Sequence, residues 1–409
     1  MKLAFVTPWY GPDTPGGAEA LVRSTAERLS RWGAPVEVLT TCARDLYSDW
    51  GRDYYRPGAE RIHGVIVRRF PVRRGRDRDA FDAINSQLMA GGTISPAEEA
   101  IFMREMIYSP ALLEYMADHR QDYVFLLIPY MFGTSYWGAQ ICPERSWLIP
   151  CLHDEPYAYL RIYREMFAAV KGVLFLSWPE RELAYRLFPE IARKPTEVIG
   201  AGVDTEYRGD PVAFRRIFGI KGPFILYAGR KEAAKNVPML IEYFRRYRRT
   251  RATDLSLVLV GGGPLSVEGA SVEGIYDLGR LSRRALFDAY AAAIALCQPS
   301  AHESFSYVLM EAWVTGTPGL VFERCAVTTD FVRKANGGLY FSDFEEFAAC
   351  LDVLLAQPDL RDQLGAQGRE YVMAHFTWDR MLQHYSRLLR AEQIEPVRFR
   401  EERWWTPNF

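Results

Sequence analysis

The stretch GVDTEYRGDPVAFRRIFGIKG, Gly202–Gly222, interrupts a pattern that holds on both sides of it. Upstream, short apolar runs alternate with helix-patterned segments: KLAFVTPWY (Lys2–Tyr10), VEVLT (Val36–Thr40), YVFLLIP (Tyr123–Pro129), SWLIPCLHD (Ser146–Asp154), GVLFLS (Gly172–Ser177) and TEVIG (Thr196–Gly200). Downstream the alternation restarts with FILYAG (Phe224–Gly229), LSLVLVGGG (Leu255–Gly263), GIYDLG (Gly274–Gly279), IALCQPS (Ile294–Ser300) and PGLVF (Pro318–Phe322). Near-continuous Val/Ile/Leu/Phe runs of strand length suit a sheet covered on both faces, and intervening helices make that sheet parallel. The reading is an α/β chain of two doubly wound halves, 1–202 and 203–378, with the last helical segment, from about 379 to 409, packing back on the first half. An amphipathic segment near Ala18–Trp32 is the first helix. Arg61–Arg78 reads as an Arg-rich surface insert, and Trp50, Tyr54 and Tyr55 fall in another.

The bulk numbers narrow the class. A chain of 409 residues, 49% hydrophobic, has enough apolar material for two cores. Fifty Lys and Arg against 51 Asp and Glu give a formal charge of −1, which excludes a general nucleic-acid coat. No charged leader with an apolar run follows Met1, and no apolar stretch approaches the ~20 residues that span a bilayer, so a cytoplasmic protein is expected. The six cysteines (Cys42, Cys142, Cys151, Cys297, Cys325, Cys350) form no CxxC pair and read as reduced thiols. The six histidines show no metal-ligand spacing, and no metal site is expected.

Ligands of open α/β sheets lie beyond the carboxyl ends of the strands, so residues there carry the functional reading. Gly16-Gly17-Ala18-Glu19 follows the first strand and opens a helix; glycine permits close backbone approach and helix-start amides favour an anion. A plain strand-to-helix loop explains it equally, and the GxGxxG fingerprint is absent. AGRKEAAKN (Ala228–Asn236) puts Arg230 and Lys235 directly after a strand, where two cations can neutralise a diphosphate without a metal. A solvated loop is the alternative, and Lys231 has less to set against it. VGGGP (Val260–Pro264) admits a ligand at Gly262 or forms a tight turn. DLGRLS (Asp277–Ser282) sets Leu281 as an apolar wall beside a flat base, or merely turns from strand to helix.

SAHESFSYVLMEAW (Ser300–Trp313) is the most pointed segment. A helix beginning near Ser304–Phe305 would aim its amides at a phosphate. Glu303 stands just before that start and Glu311 eight residues on, about 12 Å along a helix at ~1.5 Å per residue. That span is comparable to the distance from ribose to hexose in a nucleotide sugar. Two carboxylates paired within the protein is the other reading. His153-Asp154 ends the strand SWLIPCLHD; His153 either donates to a sugar hydroxyl or is a satisfied polar residue, and Asp154 is a candidate helix cap.

Taken in order, GGAE, the strand-end HD, GVD (Gly202–Asp204), GR…K (Gly229–Lys235), VGGGP, LGRLS, the Glu-x7-Glu of Glu303 and Glu311, and FTW (Phe376–Trp378) make the chain resemble the retaining glycosyltransferases of family four over essentially its whole length. The resemblance implies the GT-B fold, two facing Rossmann-like domains with a cleft between them. It implies that Arg230 and Lys235 bind the diphosphate and stabilise the leaving group, that Glu303 holds donor-sugar hydroxyls, and that Glu311 holds the ribose. Backbone amides of Ser304, Phe305 and Ser306 would meet phosphate, Gly16 and Gly17 would approach it from the other domain, and Gly229, Gly262 and Leu281 would complete the donor site. His153 would lie near the reacting sugar. No cofactor and no divalent metal is implied; the donor is a UDP, GDP or ADP sugar. Three departures stand out. Phe305-Ser306 replaces the commonest Phe-Gly, EAWV replaces Glu-Ala-Met-Ala, and GTPGLVFERCAVTTDFV differs from the usual Gly-rich run, so no contact is assigned there.

The expected function is therefore retaining, metal-independent hexosyl transfer to a glycan, lipid-linked or small-molecule acceptor. A nucleotide-sugar epimerase of the same fold and a non-catalytic nucleotide-sugar-binding subunit remain open. Arg61–Arg78 and Trp50–Tyr55 are candidates to dock an anionic lipid-linked acceptor at the inner face of the membrane, with a solvated insert as the plainer alternative.

Overall fold

The computed structural model describes residues 1–251, 253–263 and 274–395. Pro264 of the VGGGP motif and residues 396–409 of the expected C-terminal segment lie outside them. The described residues divide into two units, one of Met1–Leu176, Arg181–Ile199 and 382–395, the other of Ser177–Glu180 and the described part of Gly200–Met381.

The first unit is built on an eight-stranded sheet of β1 (Lys2–Thr7), β2 (Val36–Thr41), β3 (Gly58–Ile62), β4 (Val65–Phe70), β5 (Tyr123–Leu127), β6 (Ser146–Leu148), β7 (Gly172–Phe175) and β8 (Thr196–Val198). Their order is β3-β4-β2-β1-β5-β6-β7-β8, parallel throughout except for the antiparallel β3–β4 pair. Phe5 pairs with Val38 on one side and Leu126 on the other. All three are fully buried, as the unbroken apolar runs require. Helices α1 (Gly17–Arg31), α2 (Arg78–Met89), α3 (Pro96–Glu105), α4 (Pro110–Asp118), α5 (Gly133–Ile141), α6 (Arg161–Ala169) and α7 (Trp178–Leu187) intervene in sequence. The start of α3 is fixed by a capping box between Ser95 and Glu98 with proline at its first position, and α4 begins at Pro110 under a Ser109 cap.

One expectation is corrected here. Arg61–Arg78 is not a surface insert: most of it is the β3–β4 edge and the approach to α2. The strand was hidden because β4 carries Arg68 and Arg69. Arg69 is nonetheless buried, donating to Glu60 Oε1 at 2.6 Å and to the Tyr10 carbonyl at 2.8 Å while lying over the Tyr55 ring.

The second unit holds a six-stranded parallel sheet of β9 (Phe224–Ala228), β10 (Ser256–Val260), β11 (Ile275–Asp277), β12 (Ala295–Gln298), β13 (Gly319–Phe322) and β14 (Gly338–Phe341), ordered β11-β10-β9-β12-β13-β14. Its helices are α8 (Pro211–Phe218), α9 (Val237–Arg251), α10 (Arg283–Ala292), α11 (Tyr307–Val314), α12 (Ala326–Ala335), α13 (Phe344–Ala356), α14 (Pro358–His375) and the first turn of α15 (Trp378–Ala391). Trp313, the large residue of EAWV, is fully buried and donates to the Gly337 carbonyl at 2.7 Å. Room for it comes from Gly368 on α14, where a Cβ would lie 2.4 Å from the indole.

From Leu382, α15 belongs to the first unit. Tyr385 packs near Phe5, with ring centroids 6.4 Å apart, and Glu392 accepts from Trp147 Nε1 at 2.8 Å and pairs with Lys171 at 2.6 Å. The six cysteines are free thiols, all but Cys151 and Cys350 buried. Among the described residues no helix is long and apolar enough to cross a membrane.

Candidate functional site

Strand order locates the site in the second unit. The chain lays β10 and β11 on one side of β9, then returns to place β12 on the other. Loops leaving β9 and β12 therefore flank this switch point, the place where open α/β sheets hold their ligands. Arg230 and Lys235 follow β9; Glu303–Ser306 follow β12.

The two loops are tied together. Lys235 Nζ lies 2.8 Å from Glu303 Oε1 and also donates to the His302 carbonyl at 3.3 Å. Asn236 donates to the Pro299 carbonyl at 3.0 Å. Arg230 pairs with Glu232 at 3.3 Å, and its carbonyl accepts from the Tyr227 hydroxyl at 2.5 Å. Burial, aided by the Glu303 and Glu232 carboxylates, pushes that hydroxyl well above the usual tyrosine range, while Arg230 acts in the opposite sense. Glu303 and Arg230 thus share the electrostatic surroundings of one buried phenol. Lys231 is itself buried and turns inward to a part-buried ion pair with Asp277, 2.5 Å.

The segment expected to begin a helix near Ser304–Phe305 does not. α11 starts at Tyr307, and Ser306 is its N-cap at φ 117° and ψ 83°. Glu303 and Glu311 are therefore not strung along one helix, and the 12 Å estimate does not apply. Ser304 and Phe305 remain loop residues, both buried, and among the described residues their amides donate to no protein group. Backbone donors without partners in buried residues are uncommon, and these two directly follow Glu303, the partner of Lys235. Phe305 anchors the loop edge-on against Tyr307, Phe331 and Phe376, the last belonging to FTW.

Glu311 sits inside α11 and is 6% exposed. Its oxygens accept from Arg283 Nη1 and the Tyr290 hydroxyl, each at 3.1 Å. Burial pushes the carboxyl up; Arg283 and Tyr290 oppose that shift. Arg283 also donates to Asp204 at 2.9 Å, and Asp204 accepts from Trp378 Nε1 at 2.7 Å. Both glutamates are thus paired within the chain, and each retains acceptor capacity on its carboxylate. Sequence reasoning missed Arg283, Tyr290 and Gln298. Asp204 was in view as the last residue of GVD, without its role.

The glycines divide. Gly229 stands at φ 150° directly after β9. The Gly262 carbonyl accepts from Lys231 N at 2.8 Å, so that loop packs on the neighbouring one. Leu281, half-buried, follows β11 just ahead of α10. In the first unit, Gly16 is the N-cap of α1 at φ 133°, and a Cβ there would strike the Glu19 carboxylate, which accepts from Trp9 Nε1. A Cβ on Gly17 would meet nothing within 4 Å. His153 does not end a strand: β6 stops at Leu148, and His153 lies in the loop beyond it, 3.6 Å from Glu155 Oε1. Asp154 caps no helix; it accepts from Tyr159 and Arg186. The structure brings Lys235 and Glu303 into contact and holds Ser304–Ser306 in the same loop, while Gly16, Gly17 and His153 belong to the other unit. Among the described residues no group of three or more His, Cys, Asp or Glu side chains is gathered to hold a metal ion.

Two sheets, parallel but for the β3–β4 edge pair and each with its order reversed beside its first strand, make the GT-B fold. The family profile described as "Glycosyl transferases group 1" matches residues 213–371. The D-inositol 3-phosphate glycosyltransferase of Frankia alni is 34% identical over 411 aligned positions, covering 90% of this chain and 92% of that one. The sucrose-phosphate synthase of Thermosynechococcus elongatus shares the fold with a TM-score of 0.71 at 20% identity, over 96% of this chain and 99% of that one. Anabaena HepE, solved in complex with UDP and glucose, gives 0.67 at 14% identity, over 96% and 100%. The chain belongs to the glycosyl transferases group 1 family.

Proposed function

We propose that this glycosyltransferase moves a hexosyl group from a nucleoside diphosphate sugar to an acceptor hydroxyl, with retention at the anomeric carbon and without a metal ion. The observation that carries the reading is the Lys235–Glu303 contact at the β9/β12 switch point, in a loop whose next two amides have no protein partner among the described residues. A cation, a sugar-hydroxyl acceptor and anion-seeking amides are what a glycosyl diphosphate needs at its reacting end.

In this reading Arg230 and Lys235 and the Ser304–Ser306 amides take the diphosphate. Charge develops on it as the bond between the anomeric carbon and the phosphate oxygen breaks, so these groups act more strongly in the transition state than before it. The acceptor oxygen bonds to the same face of that carbon, and its proton passes to the departing phosphate oxygen. Glu303 orients the sugar, Glu311 accepts from the ribose, and Gly229, Gly262 and Leu281 border the nucleoside. Gly16, Gly17 and His153 are assigned to the donor by the family resemblance. UDP is the first nucleotide to test, since the Anabaena relative in fold was solved with it. A glycan, lipid-linked or small-molecule alcohol serves as acceptor; the Frankia relative is named for a phosphorylated cyclitol.

Arg230→Ala and Lys235→Ala should each lower kcat by roughly a hundredfold or more, with a smaller change in donor affinity. Steady-state kinetics with UDP, GDP and ADP hexoses, run with and without EDTA, measure this. Product NMR reads the anomeric configuration. An unchanged kcat in both variants, activity lost to EDTA, or an inverted product would contradict the proposal.

A further inference from the structure

Ser306 holds a backbone conformation that side chains resist. At φ 117° it lies in territory that glycine enters freely and other residues enter at a cost in free energy. Its hydroxyl is fully engaged there: it donates to Gln298 Oε1 at 2.6 Å and accepts from Leu309 N at 3.4 Å. Both Ser306 and Gln298 are buried, at 6% and 5% exposure, so the bond between them is short and dry.

The two residues occupy the ends of the loop that matters. Gln298 is the last residue of β12 and Ser306 the cap of α11, so their bond closes the neck of segment 299–305, which contains Glu303. Within the neck, Ser300 Oγ donates to the His302 carbonyl at 3.1 Å, and Asn236 and Lys235 hold the loop from the β9 side. A glycine at 306 would adopt this conformation unaided, and an apolar residue at 298 would then suffice. This chain has neither. Removing the Gln298 acceptor leaves a buried hydroxyl without its partner and removes what holds the unfavourable φ. Relaxation of Ser306 then turns the peptide joining it to Phe305.

We propose that Gln298 and Ser306 are a matched pair of positioning residues that fixes the aim of the Ser304–Ser306 amides and of Glu303 on the donor diphosphate and sugar; this rests on the nucleotide-sugar reading above. Neither side chain need touch the donor. Their effect passes through the loop, so it appears in turnover and reverses when glycine supplies the same backbone conformation.

The test is a cycle of wild type, Gln298→Leu, Ser306→Gly and the double variant, with Ser306→Ala as a second route that keeps the side-chain penalty and deletes the hydroxyl. For each, kcat and KM for the donor are measured alongside the melting temperature. Gln298→Leu should lower kcat by about tenfold, and the double variant should recover most of that loss. Ser306→Ala should fall about tenfold below Ser306→Gly in kcat. Independent, additive losses in the cycle, or equal kcat for Ser306→Ala and Ser306→Gly, overturn the pair. Losses that appear only in melting temperature also overturn it, because they make the bond purely structural. A wild type that turns over no UDP, GDP or ADP hexose, and whose melting is unmoved by the matching nucleoside diphosphates, overturns the donor reading and this proposal with it. Turnover by wild type without the reversal overturns this proposal alone.

Discussion

Glu311 is a carboxyl placed where burial opposes its charge and where Arg283 and Tyr290 supply only part of what water would. Its protonation is therefore favoured more in the folded chain than in the unfolded one. A raised folded pKa contributes stability in acid, and that contribution is lost as pH rises through the raised value. Glu311→Gln removes the dependence. The melting temperature of the variant, relative to wild type, should climb between acid and neutral pH, and donor KM should rise about tenfold for loss of a charged acceptor. Melting curves across pH and donor kinetics read both. A flat difference in melting would show that burial does not control the carboxyl; an unchanged KM would remove Glu311 from the ribose. Arg283 keeps Asp204 as a partner in the variant, which limits the structural damage.

On β2, one residue gathers four strands. Glu37 is buried and accepts from Lys2 of β1 at 2.6 Å, Arg68 of β4 at 2.7 Å and Tyr123 of β5 at 3.0 Å. Burial pushes its carboxyl up, but the bonds from Arg68, Lys2 and Tyr123 outweigh that and leave it below the usual range. A depressed folded pKa gives stability that is present above the unfolded value and lost as pH falls through the folded one. Glu37→Gln should cost roughly 2 kcal/mol at neutral pH, less than a fully buried pair because Lys2 and Arg68 are partly in water. The difference should shrink as the pH falls below the usual glutamate range. Urea unfolding at neutral pH and below that range measures it, and an equal penalty at both would mean shape, not charge, is what Glu37 contributes. The same elements show what the sequence made legible. Central strands such as YVFLL and FILYA announce themselves because both faces are buried. β4 did not, because Arg68 and Arg69 are satisfied by partners 31 and 9 residues distant, a fact no local pattern contains. The Glu303 loop was legible in residue type, while its geometry was not: Ser306 stands at a φ that glycine favours and bonds to Gln298, eight residues back at the end of β12, which no local pattern announces.

At the scale of the molecule, each unit places its first strand beside the point where strand order reverses, and in the second unit the loops that carry Arg230, Lys235 and Glu303 flank that point. The glycine opening of α1 follows the corresponding strand of the first unit. Hydrogen exchange followed over the whole chain, with and without a saturating nucleoside diphosphate, therefore puts the question to every segment at once. Protection should rise at 228–236 and 299–307 more than elsewhere in the second unit, since the ligand supplies partners that the Ser304 and Phe305 amides otherwise lack. Bound nucleotide that leaves both segments exchanging as before, with protection gained at a different strand end, would contradict the account.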